Sequence, residues 1–425
     1  MAIKKIRVKN FKSFKDLEVE LGNLNILIGA NASGKSNFVE IFKFLRDIRS
    51  SGLENAISMQ GGVEYLRNIN IGALEDFLLE VVSDVSKQEG MLGFWIGMEE
   101  LGLRIHETVY RFAIEFKKKG LGFRRIAEDQ LTYKCDSTEL DRRKKGVEKT
   151  EIKSGDIVLS NVNSKVDIRL DIPGGVTIRD RILPPFLRRE KLPPKTLLLE
   201  TPLPRFLMRY SPSGVIFGDV SIYDFDPKLP KKAVPITGKA ELEEDGSNLA
   251  IVLRNIIETK NEKRKLFNLV AYLLPFVDDL GVERFADKSL LFKLREAYSE
   301  KQYLPASLIS DGTINMIALI IALYFEKKPL VIIEEPERNI HPHLISKVVR
   351  MMEDASHNKQ IIVTTHNPEM VKHADPRNIL LVSRDEDGFS SISRLSEISD
   401  KERIRVFLEN DIGIEELYVD NLLGI

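Results

Sequence analysis

Gly29-Ala30-Asn31-Ala32-Ser33-Gly34-Lys35-Ser36 is the stretch from which the rest of the chain can be read. It fits G-x-x-x-x-G-K-[ST] at every fixed position. Before it, the apolar run from Leu24 to Ile28, broken only by Asn25, predicts a buried strand. After it, Phe38, Ile41, Phe42, Leu45 and Ile48 recur at helical spacing. Strand, glycine loop and helix in that order is the setting in which this pattern cradles phosphate.

The residue types suit that chemistry. Gly29 and Gly34 allow the backbone to curl, so that successive N–H groups face the β-phosphate of a nucleotide. The helix that starts near Gly34 adds the positive end of its dipole. Lys35 is placed to reach the β- and γ-phosphates, and the Ser36 hydroxyl to bind Mg²⁺. The expected cofactors are therefore ATP and Mg²⁺, with Gly29, Ala30, Asn31, Ala32, Ser33, Gly34, Lys35, Ser36 and Asn37 as candidate ATP contacts.

Composition narrows the class. The 425 residues are 43% apolar and 30% charged, the balance of a globular protein with two or three structural units. No run of 18 apolar residues occurs, and Lys4 and Lys5 lead into an amphipathic strand, so neither a membrane span nor a secretory leader is expected and the cytoplasm is the expected location. Cys135 is the single cysteine, which excludes a disulfide framework within the chain. The formal net charge of −1 argues against a globally basic nucleic-acid binder and leaves room for a local basic patch.

In chain order, residues 3–21 predict two strands flanking Asn10-Phe11-Lys12-Ser13-Phe14. The loop helix is expected to reach about Arg49. A shorter helix and Met59-Gln60-Gly61-Gly62 come next. Residues from about 64 to 180 read as β-rich, with strands at 109–117, 123–134, 156–160 and 166–172 and a hairpin turn at Pro173-Gly174-Gly175. The proline-rich stretch 184–235 predicts irregular structure, and 245–299 is expected to be helical.

Chemistry returns near Leu308. Ser310-Asp311-Gly312-Thr313 precedes an apolar helix, and reads both as a helix cap and as a phosphate-binding helix start. Leu330 to Ile333 predicts a buried strand ending in Glu334-Glu335-Pro336-Glu337, and Gln360 to Thr365 a second one ending at His366. In open α/β sheets ligands lie at the carboxyl ends of strands. Glu334 is the candidate Mg²⁺ holder, Glu335 the candidate general base, and His366 the group that holds the γ-phosphate or the attacking water. Of six histidines, His366 alone follows such a strand.

These elements, in this order, resemble the ABC-type ATPases of the SMC and RecF kind. They are most similar to stand-alone AAA-family ATPases related to the ATPase half of OLD-family nucleases. The resemblance covers residues 1–75 and about 240–385. It implies an α/β P-loop NTPase fold, an ABC-type ATPase head with a mixed sheet plus a β-rich and helical insertion. Gly29 to Ser36 then matches Walker A, Leu330 to Glu335 Walker B, Ser310, Asp311, Gly312 and Thr313 the signature that acts in trans, Pro336 to His341 the D-loop, and His366 the switch histidine. Gln60 matches the Q-loop glutamine, a low-order metal ligand, though an ordinary surface loop explains it equally well. Lys12 matches a basic residue near the phosphates. Three departures stand out: Glu334 where Asp is usual, a signature without its second glycine, and His341 where the D-loop usually has Asp.

The resemblance also implies a mechanism. Two ATP molecules are sandwiched between two heads, each signature meeting the γ-phosphate held by the other copy. The expected partner is therefore a second copy of the chain in an ATP-dependent homodimer that switches a DNA-associated or defence process. The chain beyond His366 is too short for the nuclease domain of OLD nucleases, so a nuclease or toxin activity is expected from a separate chain, with Ile412 to Ile425 a candidate docking tail. The alternative is a RecF-like clamp on duplex DNA that uses basic clusters at 117–125 and 142–145 with Phe112, Phe116 and Phe123. A transporter subunit fits poorly, because the interval between Ser36 and Ser310 is too long. The expected division is a head made of 1–75 and 240–425 and an insertion over 76–239.

Overall fold

The computed structural model describes residues 2–86, 92–96, 99–117, 122–140, 153–171, 191–202, 219–285, 288–299 and 301–397. The chain forms two compact units. One comprises residues 1–22, 36–219 and 384–392, and the other 23–35, 220–383 and 393–425.

The first unit is built on an antiparallel sheet. Its strands are β1 (Ala2–Phe11), β2 (Phe14–Glu20), β4 (Phe77–Asp84), β5 (Leu92–Ile96), β6 (Glu99–Phe116), β7 (Phe123–Leu140), β8 (Lys153–Val162) and β9 (Lys165–Asp171). The order is β2-β1-β4-β6-β7-β8-β9, with β5 on β6. Ile3, Ile6 and Val8 are all buried although Ile3 and Ile6 are an odd number of residues apart; the pairing with β4 shifts between Ile3 and Lys5, and that irregularity restores the inward face. Asn10-Phe11-Lys12-Ser13-Phe14 is the turn between β1 and β2, with Asn10 and Lys12 in left-handed conformations. The buried Asn10 amide donates to Gly72 O and Glu75 O and accepts from Asn68 N, which ties that turn to residues 68–75.

Helix α1 (Lys35–Ser51) buries Phe38, Phe42, Phe44 and Leu45. Phe44 meets Phe77 edge-on at 5.8 Å, and Phe77 meets Phe112 at 5.5 Å. Each fully buried phenyl ring contributes about 1.5–3 kcal/mol. Short helices α2 (Leu53–Met59) and α3 (Val63–Leu66) follow.

Asp129 of β7 is a buried hub in this unit. It accepts from Asn161 Nδ2 at 3.0 Å, Leu198 N at 2.8 Å and Tyr110 Oη at 3.1 Å. Burial pushes its carboxyl up to about 7 against the pull of these donors. Asp129→Ala strands the buried Leu198 amide and takes one partner from the Tyr110 hydroxyl and from the Asn161 amide. It is expected to cost about 2–4 kcal/mol, measured by urea unfolding followed with tyrosine fluorescence; a loss under about 0.5 kcal/mol would contradict it.

The second unit holds five parallel strands, β3 (Leu24–Ile28), β10 (Val220–Tyr223), β15 (Leu330–Glu334), β16 (Gln360–Thr365) and β17 (Ile379–Arg384), in the order β10-β15-β16-β3-β17. All of β3 and β16 is buried, as expected for parallel strands covered on both faces. Asn25, the break in the apolar run, donates to Ile361 O. The helices are α4 (Leu249–Glu258), α5 (Lys260–Leu273), α6 (Asp311–Tyr324), α7 (Pro342–Ser356) and α8 (Pro368–His373). A small sheet contains β11 (Val234–Pro235), β12 (Val277–Phe285), β13 (Ser289–Glu296) and β14 (Tyr303–Pro305).

Several expectations are corrected here. Val277–Phe285 and Ser289–Glu296 pair antiparallel as β12 and β13, not helix; Leu290, Phe292 and Leu294 alternate inward, a period of two that the surrounding helices mask. The units also differ from the expected boundaries. β4 lies beyond residue 75 yet pairs with β1, and β10 lies before residue 240 yet pairs with β15. Both pairings join segments far apart in sequence, which no local pattern reveals. The turn at 173–175 and the tail 412–425 lie outside the described residues. Among the described residues, no helix is long and apolar enough to cross a membrane.

Candidate functional site

In the second unit β3 delivers the glycine loop at its carboxyl end, β15 delivers Glu334, and β16 ends at Thr365, one residue before His366. The two loop glycines serve different physical ends. Gly34 has φ +121°, a conformation that L side chains rarely adopt. Gly29 is needed for space: a Cβ there would stand 2.2 Å from Val382 O and 2.7 Å from Ser33 Oγ. Ala30, Asn31 and Ala32 are exposed, whereas Ser33 is buried. Lys35 Nζ donates to Gly29 O at 2.7 Å and Ala30 O at 2.9 Å. Burial lowers the Lys35 ammonium below the ordinary lysine value, and the Glu335 carboxylate pulls the other way.

Glu335 is strained and heavily engaged. Its φ is +47°, an outlier of the kind held at functional sites. Its N–H donates to Thr364 O, which fixes the turn after β15. Oε1 lies 2.9 Å from His366 Nδ1, and Oε2 accepts from Arg338 Nε and Nη2 at 3.2 and 3.0 Å. Burial raises this carboxyl, but Arg338 and His366 outweigh it and hold it below the usual carboxylate range. Glu334 ends β15 and is half-buried. Glu337 is buried, accepts from Thr365 Oγ1 on one oxygen, and has no partner on the other; burial pushes its carboxyl up.

Ser310 caps α6, accepting from Thr313 N at 3.2 Å and lying 2.7 Å from Thr313 Oγ1. Asp311 forms an ion pair with Lys231 at 2.5 Å. Gly312 packs so closely on the turn after β15 that a Cβ would lie 2.3 Å from Asn339 O. The second glycine of the resemblance is absent, while the first has a steric reason to be there.

In the first unit, Ser36 is exposed in the opening turn of α1, where N–H groups have no intrahelical acceptor. Asn37 donates to Ser13 Oγ at 2.8 Å. Lys12 Nζ lies 3.9 Å from Glu40, and burial lowers its ammonium. Gln60 donates to the same Glu40 carboxylate at 2.9 Å, and its own Oε1 is buried with no partner. That orphaned carbonyl oxygen is a free acceptor of the kind a cation takes. Glu40, which no motif points to, is thus what joins Lys12 and Gln60.

The aromatics offered as a DNA surface are corrected. Phe112, Phe116 and Phe123 are all buried and cannot stack on bases. Arg124 and Arg125 both bind Glu115, at 2.8 and 2.6 Å. Lys118, Lys119 and the cluster at 142–145 lie outside the described residues. Sequence reading also missed Arg338, Asp224 and Lys231. Arg338 directly follows the acidic cluster, but nothing local shows that it turns back onto Glu335.

Mg²⁺ and ATP suit these donors. Among the described residues no group of three or more His, Cys, Asp or Glu could hold a metal alone. A hydroxyl such as that of Ser36 and a carboxylate such as that of Glu334 are the hard oxygen donors that Mg²⁺ takes when phosphates complete its shell. The backbone loop from Gly29 to Gly34, closed by Lys35, has the shape of a phosphate cradle.

A family model described as "AAA domain, putative AbiEii toxin, Type IV TA system" matches residues 24–372. Endonuclease GajA of Bacillus cereus (strain VD045) is 20% identical over 392 residues, which is 90% of this chain and 58% of that protein. The DNA replication and repair protein RecF of Lactococcus lactis subsp. cremoris (strain MG1363) is 45% identical over 51 residues, 12% of this chain and 14% of RecF. Among solved structures, an SMC head bound to the C-winged helix domain of ScpA is 16% identical with a TM-score of 0.49, covering 92% of this chain and 98% of that one. The SMC head domain from Thermotoga maritima is 16% identical with a TM-score of 0.40, covering 93% and 99%.

Proposed function

The chain belongs to that AAA-domain family, as an ATPase domain of the SMC/RecF-like ABC type, and on that premise we propose that it binds and hydrolyses ATP and uses the nucleotide to close two copies into a homodimer. The observation that carries this reading is the convergence, within one unit, of the Lys35 loop, Glu334, and a Glu335 in contact with His366. Glu335 takes the proton of the attacking water, and His366 holds the γ-phosphate side of that water's path. Ser36 and Glu334 are each candidate Mg²⁺ donors, and the ion would supply neutralisation of the phosphate charge when bound. Gln60 is a candidate further ligand through its orphaned oxygen, and Lys12 a candidate phosphate contact. Ser310, Gly312 and Thr313 meet the nucleotide of the second copy.

The closed dimer is read by an effector. The match to a protein named as an endonuclease, and a family description that names a toxin system, support a nuclease or toxin chain in that role. Duplex DNA is the proposed trigger, and the cytoplasm the proposed location.

The test is ATP hydrolysis by the purified chain with and without duplex DNA. Turnover is expected with Mg²⁺ and to rise about 2- to 10-fold with DNA, the rise disappearing as salt goes from 50 to 200 mM. Turnover indifferent to DNA at every salt concentration removes DNA as the trigger. No turnover at all removes the hydrolase reading.

A further inference from the structure

Arg338 sits between two carboxylates. Nε and Nη2 reach Glu335 Oε2, while Nη1 reaches Asp224 Oδ1 at 2.9 Å. Its main chain is held from another direction: Arg338 O accepts from Asn315 Nδ2 of α6 at 2.7 Å. One turn earlier on the same helix, Gly312 is packed against Asn339, the next residue along. The side chain of Arg338 is therefore fastened to Glu335, and its backbone to the helix that opens with Ser310-Asp311-Gly312-Thr313.

We propose that Arg338 is a positioning residue that restrains Glu335 in the resting chain and ties this restraint to the start of α6. The inference rests on the reading of Glu335 as the base. The guanidinium fork occupies Oε2 while His366 lies against Oε1, so neither carboxylate oxygen is open to the proton of a water. Asp224, which is largely exposed, offers the guanidinium a second partner, so that leaving Glu335 does not strand a charge. A displacement of α6 at its N-terminus pulls on Arg338 O through Asn315 and shifts the fork from Glu335 toward Asp224. Engagement of the signature by the second copy would in this way release the base only when that copy is present.

Other groups facing Glu335 are Lys35, His366 and Glu337, with Glu334 next to it in the chain. Asp224 reaches this cluster through Arg338 Nη1, so a change at Asp224 probes Arg338 separately from them.

The experiment measures kcat and KM separately for wild type, Arg338→Met and Asp224→Asn, with a fluorescent ATP analogue reporting binding. Glu335→Gln serves as the inactive reference. Loss of the fork frees Oε2 of Glu335, and the kcat of Arg338→Met is expected to rise about 3- to 10-fold with KM and analogue binding unchanged. Asp224→Asn leaves Glu335 as the only carboxylate bonded to the guanidinium, with the neutral Phe225 O beside it, so its rate is expected to fall by a similar factor. Opposite signs support the proposal. Rates that change in the same direction, or a change in Arg338→Met that falls on KM and not on kcat, overturn it. If Arg338→Met does not fold, Asp224→Asn decides alone: a lower rate supports the proposal and an equal or higher one overturns it. An inert wild type, or full turnover in Glu335→Gln, removes the base reading and the inference together. An inert Glu335→Gln with an unchanged kcat in Arg338→Met removes the inference only.

Discussion

Glu335→Gln is expected to lower ATP turnover by roughly 10²- to 10⁴-fold, the usual contribution of a positioned general base, while leaving ATP binding intact. The amide keeps the size of the side chain and its carbonyl oxygen, so the contacts with Arg338 and His366 survive in weakened form. What is lost is the capacity to take a proton. The substitution has a second expected effect. If ATP joins two copies and hydrolysis separates them, a chain that binds without hydrolysing accumulates as the dimer. Light scattering with ATP and Mg²⁺ should therefore show a doubled mass for Glu335→Gln and a monomer without nucleotide. A variant that stays monomeric under saturating ATP would defeat the dimer reading, even if hydrolysis is lost as expected.

Gly29→Ala is expected to damage both the fold and the site. A Cβ at this position meets Val382 O at 2.2 Å, and a carbonyl in β17 cannot swing aside as a long side chain can. The parallel pairing of β3 and β17 has to open locally, at a cost of about 1–3 kcal/mol. Because the loop begins at the carboxyl end of β3, the same displacement misplaces the backbone that faces the phosphates. A fall in thermal midpoint of several degrees with loss of fluorescent-nucleotide binding is the expected result. Unchanged stability and binding would show that β17 yields at Val382. Gly34→Ala is a different experiment: there the penalty comes from φ +121°, not from a neighbour.

Much of the nucleotide-facing unit is legible in the sequence because its signals are local. The run Leu24–Ile28, the glycine loop, the helix after it and the two apolar strands before Glu334 and His366 each lie within one short window. Ser310-Asp311-Gly312-Thr313 is read both as cap and as phosphate binder, and the hydroxyl of Ser310 does cap α6. The misreadings are of another kind. The β12–β13 hairpin lies between helical stretches and was assigned with them, although Leu290, Phe292 and Leu294 alternate. Phe112, Phe116 and Phe123 lie beside basic residues in sequence, but β-strand alternation turns the rings inward and the charges outward.

By itself the sequence determined the phosphate loop, the strands that carry the acidic and histidine positions, and the order of elements that places the chain among ABC-type ATPases. These follow from periodicity and spacing, which act over a few residues. Tertiary structure alone decided which distant segments share a sheet, as with β1 and β4 or β10 and β15. It also decided that Gly29 is a glycine because of Val382, that Glu40 joins Lys12 and Gln60, and that Arg338 lies between Glu335 and Asp224. Contacts of this kind depend on where packing brings chain segments together, and a carboxylate more than a hundred residues from its guanidinium leaves no mark in the local pattern.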